Sequence, residues 1–214
     1  MAEIWSAQSG FAGYLRPVGN GPAGVVLTPR DGLDLANVMA RPGKGAALAA
    51  RAAQLWNIAL PASPRRIAAG TLAFAGIAPG QWLATLEGGS GLAGRLAAAL
   101  GDTASVSDQS DGRAVLRIAG CDARATLQKS LPVDLHPAVF DTGSVAATVM
   151  GLVGVVVWRA GDDAFEIAAP RSMAGDVAHM VLLDAAEFGV AIAARNMQPG
   201  RKSDDGGKPF GPPA

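Results

Sequence analysis

Between Val145 and Trp158 the chain reads VAATVMGLVGVVVW, the most apolar run in the sequence. A helix that crosses a membrane needs about 20 consecutive apolar residues. This run is shorter, is rich in valine, and is interrupted by Thr148, Gly151 and Gly154. It predicts a pair of buried strands, so the chain must build a sheet and find something to cover it.

The surrounding pattern supplies both. Val25 to Thr28, Thr71 to Ala75 and Trp82 to Leu86 are short apolar strand candidates, and Arg113 to Ala119 alternates apolar Ala114, Leu116 and Ile118 with Arg113 and Arg117. That alternation predicts a half-buried strand. Further strands are expected at 144–150, 152–159, 164–168 and 190–194. Helical spacing of Leu48, Ala52, Leu55 and Trp56 predicts a helix over 44–57. A second helix should run from a Ser90 cap to Leu100 and stop at Gly101, and a third should start at Asp122. A last one should be capped by Ser172 and carry Val177, Val181, Ala185 and Phe188 on one face. Strands mixed with helices of about ten residues indicate an α+β protein with helices on one face of mainly antiparallel sheets.

The organisation expected is a Gly-rich N-terminal arm over 1–24, an α+β domain over 25–197, two-lobed with a division near 101–112, and a Pro/Gly-rich tail over 198–214. Both ends are expected to be loosely ordered, with Trp5, Phe11 and Tyr14 available to anchor the arm on its own domain or on a neighbouring chain.

Charge and cysteine narrow the function classes. Eighteen basic and eighteen acidic residues cancel, whereas binding a phosphate backbone needs a basic excess. Nucleic acid is therefore not an expected partner, nor is a membrane. Cys121 stands alone, so neither an intrachain disulfide nor a cysteine-based zinc cluster can form. Met1 to Gly10 has neither a basic stretch nor an apolar core, so a secretory signal is not expected, and a cytoplasmic location is.

No motif carries chemistry in its required context. Gly19-Asn20-Gly21-Pro22-Ala23-Gly24 matches GxGxxG, but a strand follows it rather than precedes it, and Pro22 removes a backbone donor. Gly88-Gly89-Ser90-Gly91 reads as a turn with a serine cap. Asp134 and His136 in Asp-Leu-His-Pro read as an Asx-type turn. Asp108, Ser110, Asp111 and Arg113 read as a polar turn ending in Gly112. Arg171 is available for a carboxylate within the chain or across an interface. Cys121 reads as a small core residue. Catalytic, cofactor-binding and metal-ligating residues are therefore all assigned as none.

Taken in order, several of these segments resemble one family: Pro79-Gly80-Gln81-Trp82-Leu83, Val106-Ser107-Asp108-Gln109-Ser110, and Ile118-Ala119-Gly120 with Ala123-Arg124 and Leu127. Asp134-Leu135-His136-Pro137 with Phe140 and Gly143, and then Pro170-Arg171-Ser172-Met173-Ala174, complete the set. Over about 25 to 190 the chain is similar to the γ subunit of heterotetrameric sarcosine oxidase. The resemblance implies two interlocked α/β-sandwich lobes, as in the folate-binding T-protein (aminomethyltransferase) fold. It also implies direct packing against an α subunit, with β and δ subunits in the assembly. FAD, FMN, NAD, zinc and tetrahydrofolate are expected in those partners and no cofactor in this chain. The complex would demethylate sarcosine oxidatively to glycine, releasing hydrogen peroxide and formaldehyde or 5,10-methylenetetrahydrofolate. Asp108, Arg113, Asp134, His136, Arg171 and Ser172 carry the resemblance and are expected to serve architecture or subunit contact. A related N-methyl amino acid dehydrogenase and a free-standing folate-binding one-carbon protein are the alternative readings.

Overall fold

A computed structural model describes residues 8–19 and 21–193. Eleven strands form two sheets among them. In chain order the elements are β1 (Val25–Pro29), β2 (Leu33–Ala40), α1 (Gly45–Trp56), β3 (Arg66–Ala69), β4 (Leu72–Ala78), β5 (Gln81–Glu87), α2 (Leu92–Leu100), β6 (Ala104–Asp108) and β7 (Arg113–Ala119). They continue with α3 (Ala123–Leu127), β8 (Val145–Met150), β9 (Val153–Gly161), β10 (Ala164–Pro170), α4 (Ala174–Ala185) and β11 (Val190–Ile192). The six-stranded sheet is ordered β11-β1-β7-β10-β9-β8 and the five-stranded sheet β3-β4-β5-β2-β6. Every pairing is antiparallel except β1 with β11. The α+β class, the antiparallel sheets and the expected strand pair of the valine-rich run, β8 with β9, are all present.

Alternation along each strand sets the layers, because successive side chains point to opposite faces. On β7, Ala114, Leu116 and Ile118 join a core with Val177, Ala178 and Val181 of α4 and Leu127 of α3. On β5, Trp82, Ala84 and Leu86 join a second core with Leu48 of α1 and Leu92, Leu96 and Leu100 of α2. The opposite faces meet each other, where Val115, Val156, Trp158 and Ala168 of one sheet pack on Leu35, Ala75 and Leu83 of the other. The result is four layers: α3 and α4, the six-stranded sheet, the five-stranded sheet, then α1 and α2. The sheets interlock in sequence, since β1 joins the six-stranded sheet before the chain builds the other one and then returns at Arg113. The face of β7 bearing Arg113 and Arg117 is therefore covered by a second sheet, where a half-buried strand was expected to meet water.

The helix starts lack the side-chain caps that the sequence suggests. Gly91, at φ 71°, precedes α2, and neither Ser90 nor any other local side chain caps it. Asp34 of β2 accepts the Leu92 N–H at 3.1 Å instead, from inside the core. Ser172 lies in a 3₁₀ turn (Arg171–Met173) before α4 and makes no cap bond. Asp122 precedes α3, likewise without a side-chain cap bond. We predict that Asp34→Ala costs about 1–2 kcal/mol, as loss of a cap does, while Ser90→Ala stays within about 0.5 kcal/mol. Denaturant unfolding of the two variants measures the difference.

The arm is tied down over its described part, against the loose order expected of it. Phe11 is 2% exposed in the α4-side core. Val18 bridges Val190, and the Arg171 guanidinium donates to the Gln8 carbonyl. Trp5 and the Pro/Gly-rich tail lie outside the described residues.

Candidate functional site

One cluster of charged residues is gathered between the two sheets. Glu166 of β10, 4% exposed, faces the five-stranded sheet. Its Oε1 lies 3.2 Å from the Arg30 Nε and 3.2 Å from an Arg117 nitrogen, and its Oε2 accepts the Trp158 indole N–H at 3.1 Å. Register makes this set, because Glu166 lies opposite Arg117 on one side and Trp158 on the other. From the facing sheet, the Arg66 guanidinium sits 5.8 Å from the Trp158 ring centroid and donates to Thr85 Oγ1 at 3.3 Å. Arg30 also reaches Glu87 at 2.6 Å. Burial lowers the Arg66 pKa from its ordinary value, while the Glu166 and Glu87 carboxylates act the other way. Buried charge needs a partner, and each charged group of this set has an opposite charge or a ring beside it, while the Arg30 and Arg66 Nε atoms are enclosed without a hydrogen-bond acceptor. Through the Arg30–Glu87 pair and Arg66 over the Trp158 ring, the arrangement clamps sheet to sheet.

A second junction closes one edge of the sandwich. Arg65 donates to the Asp141 carboxylate and, at 3.0 Å, to the Ser144 hydroxyl, which itself donates to Asp141 at 2.7 Å. The Arg65 bonds, then that of Ser144, hold the Asp141 carboxyl at about 2. Arg65 precedes β3 and Ser144 precedes β8, so these bonds join the edges of the two sheets.

The residues singled out in the sequence fall into separate places. Asp108 ends β6 and accepts the Ser110 N–H at 2.9 Å, the polar turn expected there. The same turn ties to β2, since the Leu35 N–H donates to Ser110 Oγ at 3.1 Å. Arg113 follows it, its pKa lowered by burial and its Nε enclosed without a hydrogen-bond acceptor. Pro170 pairs with Arg113 in register and the Arg171 N–H donates to the Gly112 carbonyl at 2.9 Å. Asp108, Arg113, Arg171 and Ser172 are thus brought to one end of the molecule. Arg171 lies with Gly10 and Ala114 on the α4-side face of β7, and Arg113 on the inter-sheet face. Asp134 and His136 stand elsewhere, in the loop between α3 and β8. There the His136 N–H donates to Asp134 Oδ1 at 2.8 Å, an Asx turn.

Cys121 departs from expectation. It is exposed rather than a core residue, and its thiol donates to the Asp122 carboxylate at 3.3 Å. That bond, followed by the negative charge of Asp122, raises its pKa above the ordinary thiol value. Thiolate is the reactive form, so thiol–disulfide exchange at neutral pH should be slower than for a free thiol. Asp122→Asn should accelerate it, as followed with a thiol-specific chromogenic disulfide.

Arg30, Arg66 and Glu166 were not singled out in the sequence. The signal for Glu166 was available: one carboxylate set in Ala-Phe-Glu-Ile-Ala-Ala, within an otherwise apolar strand. A pocket also went unseen. Asn37, Met39, Ile77, Gln81, Trp82, Ser105 and Ser107 line it, at the end of the five-stranded sheet's inner face. Among the described residues no cluster of metal-ligating side chains is found, and no helix is long and apolar enough to cross a membrane.

Residues 42–187 match the family described as sarcosine oxidase, gamma subunit family. Sarcosine oxidase subunit gamma of Arthrobacter sp is 40% identical over 92 residues, covering 42% of this chain and 45% of that protein. The subunit of the same name from Corynebacterium sp. (strain P-1) is 34% identical over 113 residues, covering 52% and 56%. These two alignments span about half the length of those relatives. The one from Corynebacterium sp. (strain U-96) is 31% identical over 142 residues, covering 64% of this chain and 69% of that protein. Among solved structures, a chain of heterotetrameric sarcosine oxidase from Corynebacterium sp. U-96 superposes with a TM-score of 0.74 at 28% identity, over 88% of this chain and 99% of that one. The glycine cleavage system aminomethyltransferase T from Bartonella henselae shares the fold, with a TM-score of 0.60 at 17% identity, over 79% of this chain and 48% of that one.

Proposed function

Because this chain belongs to the sarcosine oxidase gamma subunit family, we propose that it is a structural subunit of a heterotetrameric sarcosine oxidase-type oxidoreductase and performs no bond-making step of its own. The observation that carries this reading is the superposition on a heterotetrameric sarcosine oxidase chain over 99% of that chain. The interior chemistry agrees with it. Of the two buried carboxylates among the described residues, Glu166 is held by Arg30, Arg117 and Trp158, and Asp34 accepts the Leu92 N–H.

In this reading the chain packs against an α subunit, with β and δ completing the assembly in the cytoplasm. FAD, FMN, NAD, zinc and tetrahydrofolate belong to those partners. The assembly oxidises the N-methyl group of sarcosine, yielding glycine, hydrogen peroxide and formaldehyde or 5,10-methylenetetrahydrofolate. Asp108, Arg113 and Arg171, gathered at one end of the molecule, are assigned to architecture or subunit contact.

Affinity purification of the tagged chain from its native host tests this. A stoichiometric, flavin-coloured assembly containing three other chains, with sarcosine-dependent oxygen uptake, is the expected result. Recovery of the chain alone, with tight tetrahydrofolate binding, would overturn it in favour of a free-standing one-carbon carrier.

A further inference from the structure

The sandwich is sealed along one side. The Arg66 N–H donates to the Gly143 carbonyl at 2.7 Å and the Val145 N–H to the Pro64 carbonyl at 2.8 Å, tying the β3 side of one sheet to the β8 side of the other. The other side of the five-stranded sheet ends in β6, and among the described residues no strand pairs with the outer edge of β6. The Arg41 N–H bonds Thr103 O at 3.0 Å and the Gln109 N–H bonds Leu35 O at 2.8 Å. In an antiparallel ladder every second residue exchanges both bonds with its partner. Ser105 and Ser107 therefore bond to β2, and Val106 turns its N–H and C=O outward. Unpaired edge groups of this kind are a template for another strand.

The pocket described above opens beside this edge. Asn37 and Met39 pair in register with Ser107 and Ser105 and share a face with them. The Asn37 Oδ1 is enclosed there without a donor, and Met39 stands at the mouth, 48% exposed. No charged side chain lines the pocket. Charge marks its ends instead: the Arg41 side chain lies against the Ala104 carbonyl at one end of β6, and Asp108 and exposed Asp111 stand at the other.

We propose that the outer edge of β6 and the Asn37 pocket receive an extended segment of a partner subunit. The segment adds a strand to the sheet and donates an N–H to Asn37 Oδ1. Its middle is uncharged, with a basic side chain toward Asp111 and an acidic one toward Arg41. Strand addition supplies affinity through main-chain bonds and specificity through pockets for alternate side chains, and both parts are present here. A second copy of this chain would set one pocket beside another and fill neither. The proposal rests on the subunit reading above.

Hydrogen exchange on the chain alone and in the co-expressed four-subunit complex tests it. Amide exchange over residues 104–108 should slow at least tenfold in the complex. Val106→Pro, which removes the outward N–H and leaves a smaller apolar side chain on the second core, and Ser105→Lys, which charges the pocket, should each weaken assembly at least tenfold. The melting temperature of either isolated variant should stay close to that of the parent chain. Leu152→Lys, at the β8–β9 turn, should assemble normally. Unchanged exchange at 104–108, or normal assembly of Ser105→Lys, overturns the proposal. So does slow exchange already present in the isolated chain and lost when residues 194–214 are removed, which assigns the edge to its own terminus. So too does a loss of self-association in place of a loss of assembly. If the unaltered chain forms no complex, the subunit reading fails and the proposal falls with it, whatever the variants do.

Discussion

Replacing Glu166 with leucine should destabilise the isolated chain by about 3–5 kcal/mol, the range for removing one partner of a buried ion pair. The size follows from what is left behind. Arg30 and Arg117 both lie 3.2 Å from the same carboxylate oxygen, and the Trp158 indole N–H loses its acceptor. Arg66, whose charge is already disfavoured by burial, loses a neighbouring carboxylate that supports it. Leucine matches the volume but answers none of these groups, so the inter-sheet layer must admit water or separate. Glu166→Gln should cost less, because an amide oxygen can still accept from Trp158. In the double variant Glu166→Leu with Arg117→Leu the loss should be smaller than the sum of the single losses, because one uncompensated charge goes with the carboxylate. Urea unfolding of the parent, Glu166→Leu, Glu166→Gln, Arg117→Leu and the double variant measures the set. A Glu166→Leu chain within about 1 kcal/mol of the parent, well short of that range, would show that the layer is held by its apolar contacts and that the ion cluster is incidental to it.

The same layer explains which parts of the fold were legible in the sequence. β8, β9 and β10 stood out because their side chains are mostly apolar on both faces, one packing on α3 and α4 and the other on the second sheet. β2 did not. Its sequence LDLANVMA places Asp34 among core residues and Asn37 on the opposite face, so neither a continuous apolar run nor a clean alternation remains. Asp34 is there because it caps α2 from a distance, and that is also why Ser90, a good local cap by type, is not used. β6 contributes Val106 and two serines facing an open pocket, and at an edge little apolar surface has to be buried. Local features were read correctly where the interaction is local, as with Asp134 and His136, two residues apart. Glu166 is bound to groups 8, 49 and 136 positions away in the chain, and spacing holds no information about such partners. Arg117 was visible as a charge on an alternating strand, but its face was assigned to water because nothing in its own segment reveals the second sheet.

Phe11→Ala carries the second large effect, and it bears on what the N-terminal arm is for. Truncating a fully buried phenylalanine costs about 3–5 kcal/mol when the surrounding structure cannot collapse. At an arm, the loss is capped by the free energy of undocking the segment, because local opening competes with global unfolding. Phe11 sits in the α4-side core, the adjoining residues are fixed through Arg171 to Gln8 and through Val18 to Val190, and Gly10 lies so close that a Cβ there would fall 2.6 Å from that of Ala114. These ties make the arm part of the cooperative unit, so Phe11→Ala should show the full cost, at roughly 2–4 °C of melting temperature per kcal/mol for a chain of this size. Tyr14, 53% exposed over Gly175, should cost far less when truncated to alanine. Hydrogen exchange separates the two possibilities. If Phe11→Ala speeds exchange only over residues 8–18 while β7 and α4 keep their protection, the arm is an independently docked strap. If β7, α4 and β11 lose protection with it, the arm is a structural member of the six-stranded half, and trimming it would remove part of the core.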